Sequence, residues 1–134
     1  MRRTVLLIIA IALLAGGTVA YAHHSYAATY DTNEQIKLEG KVVQFVFRNP
    51  HSFVHIQAPD QKGVSQRWAV EWAGTSQLGN AGVKPESLKV GDELVIVGRP
   101  SRALATGEYR LLMVSLKRPR DGFTWGSRGG EIVD

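Results

Sequence analysis

The sequence predicts an all-β domain: a small five-stranded OB-like antiparallel barrel with one short helix between strands 3 and 4. Three observations point there. Five stretches rich in β-branched and aromatic residues read as strands. The first and longest carries an internal glycine, Gly40, and the helix signal falls between the third strand and the fourth. An open antiparallel sandwich is the competing architecture.

Residues 36–47, IKLEGKVVQFVF, form the first strand, with Gly40 marking a bulge or bend that lets one strand serve two sides of a barrel. Arg48-Asn49-Pro50 ends it, because proline removes a ladder donor and restrains its predecessor. Residues 52–58 alternate, placing Val54 and Ile56 on one face and Phe53, His55 and Gln57 on the other. A hairpin-length turn at 59–63 leads to a strand over 66–73. There Trp68, Val70 and Trp72 face the core, opposite Arg67, Ala69 and Glu71. Thr75 or Ser76 caps a short helix through Ala81, which Gly82 ends. Strands over 93–98 and 108–117 complete the set. From Arg118 the glycine-bearing text predicts a flexible C-terminal tail, with Lys117-Arg118-Pro119-Arg120 a solvated exit.

The first 22 residues read as a cleavable export signal. Arg2 and Arg3 precede an apolar run from Val5 to Ala15, and Ala20-Tyr21-Ala22 offers an A-x-A cleavage site. The apolar segment from Thr4 to Ala22 is long enough only barely to span a bilayer, so removal is expected. The organisation is then signal 1–22, barrel 23–117 and tail 118–134, in a protein secreted to the periplasm through the Sec pathway. Arg2 and Arg3 are two of the 16 basic residues and none of the 12 acidic ones lies in the signal. Residues 23–134 therefore carry 14 basic against 12 acidic groups, a net charge of about +2. So small an excess gives no footprint for nucleic acid. No cysteine is present, which excludes disulfides, thiolate metal sites, cysteine nucleophiles and a lipid anchor.

The chemistry-bearing residues cluster at two places. Cleavage after Ala22 leaves His23 first, and a free α-amine beside an imidazole chelates a borderline metal such as Cu(II). His24 follows it. The other two histidines, His51 and His55, flank the second strand, about 13 Å apart along a straight strand, too far to share one ion. The metal set predicted is thus drawn from His23, His24, His51, His55 and Glu71: His23 through amine and imidazole, one strand histidine, His51 first, and Glu71 as a nearby oxygen ligand. The α-amine must lose a proton, which makes affinity pH-dependent. The bland reading has solvated histidines, His55 packed on Phe53, and Glu71 paired with Arg67 on a sheet surface. Trp68 and Trp72 are core residues. Phe45, Phe47 and Phe53 offer an aromatic barrel face, or else pack under the N-terminal segment or the tail. No nucleophile elbow, acid pair or H-E-x-x-H is present, so no catalytic residue is assigned and no enzyme is expected unless a bound copper does the chemistry.

The phrases HHSYAATYD, LEGKVVQFVFRNPHSFVHI, WAVEWAGTSQL and LKVGDELVIVGRP together resemble a family of small exported bacterial proteins of uncharacterised function. The resemblance runs from His23 to Lys117. Its hallmark phrases fall on His23, His24, Ser25, Tyr30, Asp31, Asn49, Pro50, His51 and Glu71. It departs at Trp72-Ala73-Gly74, where glycine or methionine more often follows the glutamate. The resemblance implies no reaction and no ligand. Three functional readings remain: a copper-binding periplasmic barrel, a metal-free module that binds a periplasmic protein, peptide or glycan on an aromatic face, and a copper-dependent redox enzyme.

Overall fold

The computed structural model describes residues 26–126. Six strands are ordered β1 (Ile36–Val46), β2 (Phe53–Pro59), β3 (Ser65–Glu71), β4 (Glu93–Pro100), β5 (Arg110–Arg118) and β6 (Phe123–Gly126). β1 pairs with β2 through its second half and with β4 through its first, and β2–β3 and β4–β5 continue the antiparallel sheet. A parallel pairing of β3 with β5 closes the first five strands into a barrel, so the predicted OB-like architecture is present and the open sandwich is not. The short helix Thr75–Asn80 lies between β3 and β4 as expected.

Gly40 sits where β1 changes partner, opposite Leu94 on one side and one residue before Lys41 meets Gln57 on the other. A Cβ there would lie 2.8 Å from the Cβ of Ala58, so only glycine lets the two strands approach. The bulge itself comes later, between Val42 and Gln44, where the β1–β2 register shifts.

Alternation fills the interior. Val54, Ile56, Trp68, Val70, Ile96 and Leu111 point inward and are buried, each contributing on the order of 2 kcal/mol of transfer free energy. Leu78 from the helix, with Val83 and Leu88 after it, joins the same core. Neither Thr75 nor Ser76 caps the helix with its side chain. The N-cap is Gly74, and Asn49 from the β1–β2 loop reaches across to accept from the Thr75 N–H (2.9 Å) and hydroxyl (3.0 Å).

The chain does not come loose at Arg118. β5 runs through that residue, and β6 pairs Trp125 with Leu116 and Phe123 with Arg118. Lys117-Arg118-Pro119-Arg120 is no simple solvated exit either: Arg118 is buried and bonds Asp92 at 2.6 Å and Asp121 at 2.9 Å. Pairing of β6 covers Trp72, whose ring meets Trp125 edge-on at 5.2 Å. The predicted signal, His23 and His24, and residues 127–134 lie outside the described residues.

Candidate functional site

The site forms on the outside of the barrel, over the seam where β3 meets β5. Trp68 and Val70 face inward, so the alternation turns Glu71 out, toward what is normally solvent. Glu71 is nonetheless only 4% exposed. Its cover comes from three distant places in the chain. Tyr30, 1% exposed, bridges Ser101 and arrives from the N-terminal segment. Arg110 opens β5, and His51 lies late in the β1–β2 loop, two residues before β2.

Each cover residue bonds the carboxylate, as a buried charge requires. The Tyr30 hydroxyl donates to Oε2. Arg110 Nη2 donates to the same oxygen at 2.5 Å, and His51 Nδ1 lies 2.6 Å from Oε1. On its other side His51 meets Tyr26, whose hydroxyl is 2.7 Å from Nε2. An ionised Glu71 accepts a proton-bearing Nδ1, and a neutral imidazole then leaves Nε2 to accept from Tyr26. The result is a chain of contacts from the N-terminal segment through His51 to Glu71 and the Arg110 guanidinium.

Electrostatics keep the donors in their donating forms. Burial, and then the charge of Glu71, push the Tyr26 phenol up. The Tyr30 phenol is raised far more, by burial, its hydrogen bond to Glu71 and that residue's charge, with Arg110 opposing. Burial pulls Arg110 down, yet its bond to Glu71, its interaction with Tyr30 and the charge of Glu71 together hold it above its ordinary value.

The scaffold under His51 is rigid for local reasons. Ser52, fully buried, accepts from the Arg48 N–H and donates to the Arg48 carbonyl, both at 3.2 Å, which closes the loop on itself. Its backbone continues the β2–β3 ladder by bonding Ala73 O (3.0 Å) and Trp72 N (2.8 Å). Gly74 packs so closely that a Cβ would meet the Pro50 carbonyl oxygen at 2.7 Å. Asn-Pro-His and the segment after Glu71 are therefore one packed unit.

A family model described as a family of unknown function, DUF6152, matches residues 11–109. The chain belongs to this family. No curated protein and no solved structure matches it.

Of the five predicted metal ligands in this DUF6152 protein, His23 and His24 lie outside the described residues, and the other three divide. His51 and Glu71 meet directly, whereas His55 stacks on Phe53, with ring centroids 6.3 Å apart and planes inclined by 23°. Burial and then the charge of Arg67 hold the His55 imidazole below its ordinary pKa. Glu71 is no free oxygen ligand, because both of its oxygens are engaged. It does not pair with Arg67 either, whose Nη2 bonds Gln44 instead at 2.8 Å. Among the described residues, no group of three or more His, Asp or Glu side chains is placed to hold an ion.

The three phenylalanines do not share a face. Phe45 packs on Phe47 and Trp72, beside the β6 tryptophan, which is the packing under the tail. Phe53 lies apart, with the guanidiniums of Arg48 and Arg110 over its ring at 5.6 and 5.5 Å. Trp68 and Trp72 are core residues, as the alternation predicts. Arg110 and the site roles of Tyr26 and Tyr30 escaped the sequence reading. Alternation in the last strand turns Arg110 outward, but nothing local says which carboxylate it meets.

Proposed function

We propose that this family member is an exported, periplasmic binding protein that holds a transition metal, with copper the best match, through a processed N-terminus at His23 and the imidazole of His51. The observation that supports this reading is the relay Glu71–His51–Tyr26. A carboxylate on Nδ1 is the arrangement that fixes the tautomer and orientation of a ligating histidine, leaving Nε2 to face the metal. Nε2 meets only the Tyr26 hydroxyl among the described residues, and an incoming ion displaces that contact. Two residues, His24 and Ser25, separate His23 from Tyr26, a tether of three Cα-to-Cα steps and at most about 11 Å. An amine, an imidazole and the His51 Nε2 make a nitrogen set suited to tetragonal Cu(II). Glu71 acts as the orienting group, and the role proposed is storage, delivery or sensing rather than catalysis.

Titration of the processed protein with copper and with zinc tests this, beside a version extended by one alanine before His23 and the His51→Ala variant. Copper binding lost on extension and weakened at least about tenfold in His51→Ala is the expected result. Equal binding by all three proteins overturns it. The metal-free alternative, a module for a protein, peptide or glycan, draws on one observation: Phe53 and His55 remain half-exposed and stacked on the outer face of β2.

A further inference from the structure

Beside the relay proposed to serve a metal, the outer face carries a second feature, which shares Arg110 with the Glu71 hub. Pairing across four strands sets Gln44, His55, Ala69 and Arg110 in one continuous row: Gln44 opposite His55, His55 opposite Ala69, Ala69 opposite Arg110. The Ala69 side chain is the smallest of the four, so the row dips between His55 and Arg110. With Phe53 and Arg48 from the next row and loop, these residues enclose a groove of about 340 Å³.

The lining is one-sided in its chemistry. Among the described residues, no acidic side chain borders the groove. Arg48 is exposed and makes no ion pair among the described residues; its guanidinium lies over the Phe53 ring. Arg67 bonds Gln44 Oε1, which leaves the Gln44 amide nitrogen as the free donor. Arg110 spends Nη2 on Glu71 but keeps Nε buried with no hydrogen-bond partner. The side chain is 33% exposed, so a modest turn presents that donor to an occupant. A buried N–H without an acceptor is costly, and a ligand or water that accepts from it recovers the loss. His55 keeps a depressed pKa, through burial and then Arg67, and contributes a neutral ring N–H. Among the described lining residues the charged groups are the two guanidiniums, and none supplies an anionic acceptor.

We propose that this groove binds a small oxyanion, a carboxylate or phosphate group held by Arg48 and Arg110 against the Phe53 ring. Paired guanidiniums suit such groups because their planar forks match two oxygens at once. Phe53 holds both guanidiniums by cation–π contact, which fixes their place at the groove.

The test is titration of metal-free protein with inorganic phosphate and, separately, with citrate, followed by the NMR signals of the Phe53 and His55 rings and the Ala69 amide. Saturable shifts confined to these signals are expected, weakened about tenfold or more in Arg48→Ala and partly restored in Arg48→Lys. Saturation by phosphate alone assigns a free or esterified phosphate as the ligand class, and saturation by citrate alone assigns an organic carboxylate. The proposal is overturned if neither probe saturates, if sodium chloride of equal ionic strength reproduces the shifts, or if Arg48→Ala, folded by circular dichroism, binds as well as the parent.

Discussion

Glu71 Oε1 lies 2.6 Å from His51 Nδ1, joining a residue that β3 turns outward to one late in the β1–β2 loop. The contact exists because strand register places Phe53 opposite Glu71, which puts His51 just beyond the paired ends. It also makes Glu71 the hub of a small polar core outside the barrel proper. The N-terminal segment is fastened there through Tyr30, and through Arg102, which bonds Ala27 O at 2.8 Å and Thr29 O at 3.0 Å.

Glu71→Ala leaves the Arg110 charge and the Tyr30 hydroxyl without their acceptor. Breaking a buried pair from one side costs about 3–5 kcal/mol, and the partial exposure of Arg110 puts this case at about 3 kcal/mol. Tyr30→Phe removes one hydrogen bond to a charged group and costs about 2 kcal/mol. Urea denaturation measures both. A Glu71→Ala protein as stable as the parent shows that the hub contributes nothing net.

A second buried carboxylate makes stability depend on pH. Asp92 is 6% exposed, and although burial alone pushes its pKa up, the Lys89 N–H and the charges of Arg118 and Arg120 hold it below the ordinary value. Asp121, bonded by Arg118, is lowered as well. The folded state thus binds fewer protons than the unfolded chain as these groups titrate. Their stabilisation is present above the unfolded-state pKa near 4 and is lost as pH falls through the lower folded values. Melting temperature is expected to fall steeply below about pH 4. Asp92→Asn is less stable at neutral pH, and its acid dependence is shallower. An unchanged slope in that variant removes Asp92 from the account.

The barrel was legible where its cause is local. Alternation placed Val54, Ile56, Trp68 and Val70 inside, and Gly40 announced the bend that lets β1 serve two neighbours. The hairpin at 59–63 even set Glu71 beside Phe53. The burial of Glu71 was not legible, because its cover lies 41 residues away at Tyr30 and 39 away at Arg110. A polar residue on an outward position reads as solvated until tertiary packing brings a lid. β6 was missed for a related reason. Phe123 to Gly126 is short and sits among glycines and charges, and it becomes a strand because β5 offers an edge to pair with.

Gly40 supports a prediction about the barrel itself. The Gly40→Ala methyl meets the Gln57 carbonyl and the Ala58 side chain, both fixed in β2. Backbone cannot yield there without parting β1 from β2 or β4, so a loss of about 2–3 kcal/mol is expected. Thermal unfolding monitors it. Gly63→Ala is a useful contrast: its φ of +78° strains an alanine, but the added methyl meets nothing. Its expected cost is about 1 kcal/mol. Equal losses at the two positions exclude close strand approach as the reason for Gly40.

Trp125→Ala tests whether β6 belongs to the folded unit. The ring is half-buried edge-on to Trp72, so its loss removes both apolar burial and an aromatic pair, about 2 kcal/mol together. Trp72 then gains solvent, and the tryptophan emission shifts to longer wavelength. A variant with parental stability makes β6 a strand that adds pairing but no support.

Two substitutions at the relay separate an orienting carboxylate from a competing hydroxyl. Tyr26 occupies His51 Nε2, so in the proposed metal reading its hydroxyl must leave before an ion arrives. Tyr26→Phe keeps the ring contact with His51, whose centroid lies 5.5 Å away, and deletes the competitor. Removing a hydrogen bond of about 1 kcal/mol from the free state strengthens copper binding about fivefold. Glu71→Gln does the opposite. The amide cannot support Nδ1 as a carboxylate does, and loss of such a partner weakens affinity about 10–100-fold. Copper titration of the three proteins, under conditions where each is folded, distinguishes the cases. Opposite shifts assign Nε2 of His51 as a ligand oriented by Glu71, whereas affinities unmoved by both changes take His51 out of the metal site and leave the relay as structure alone.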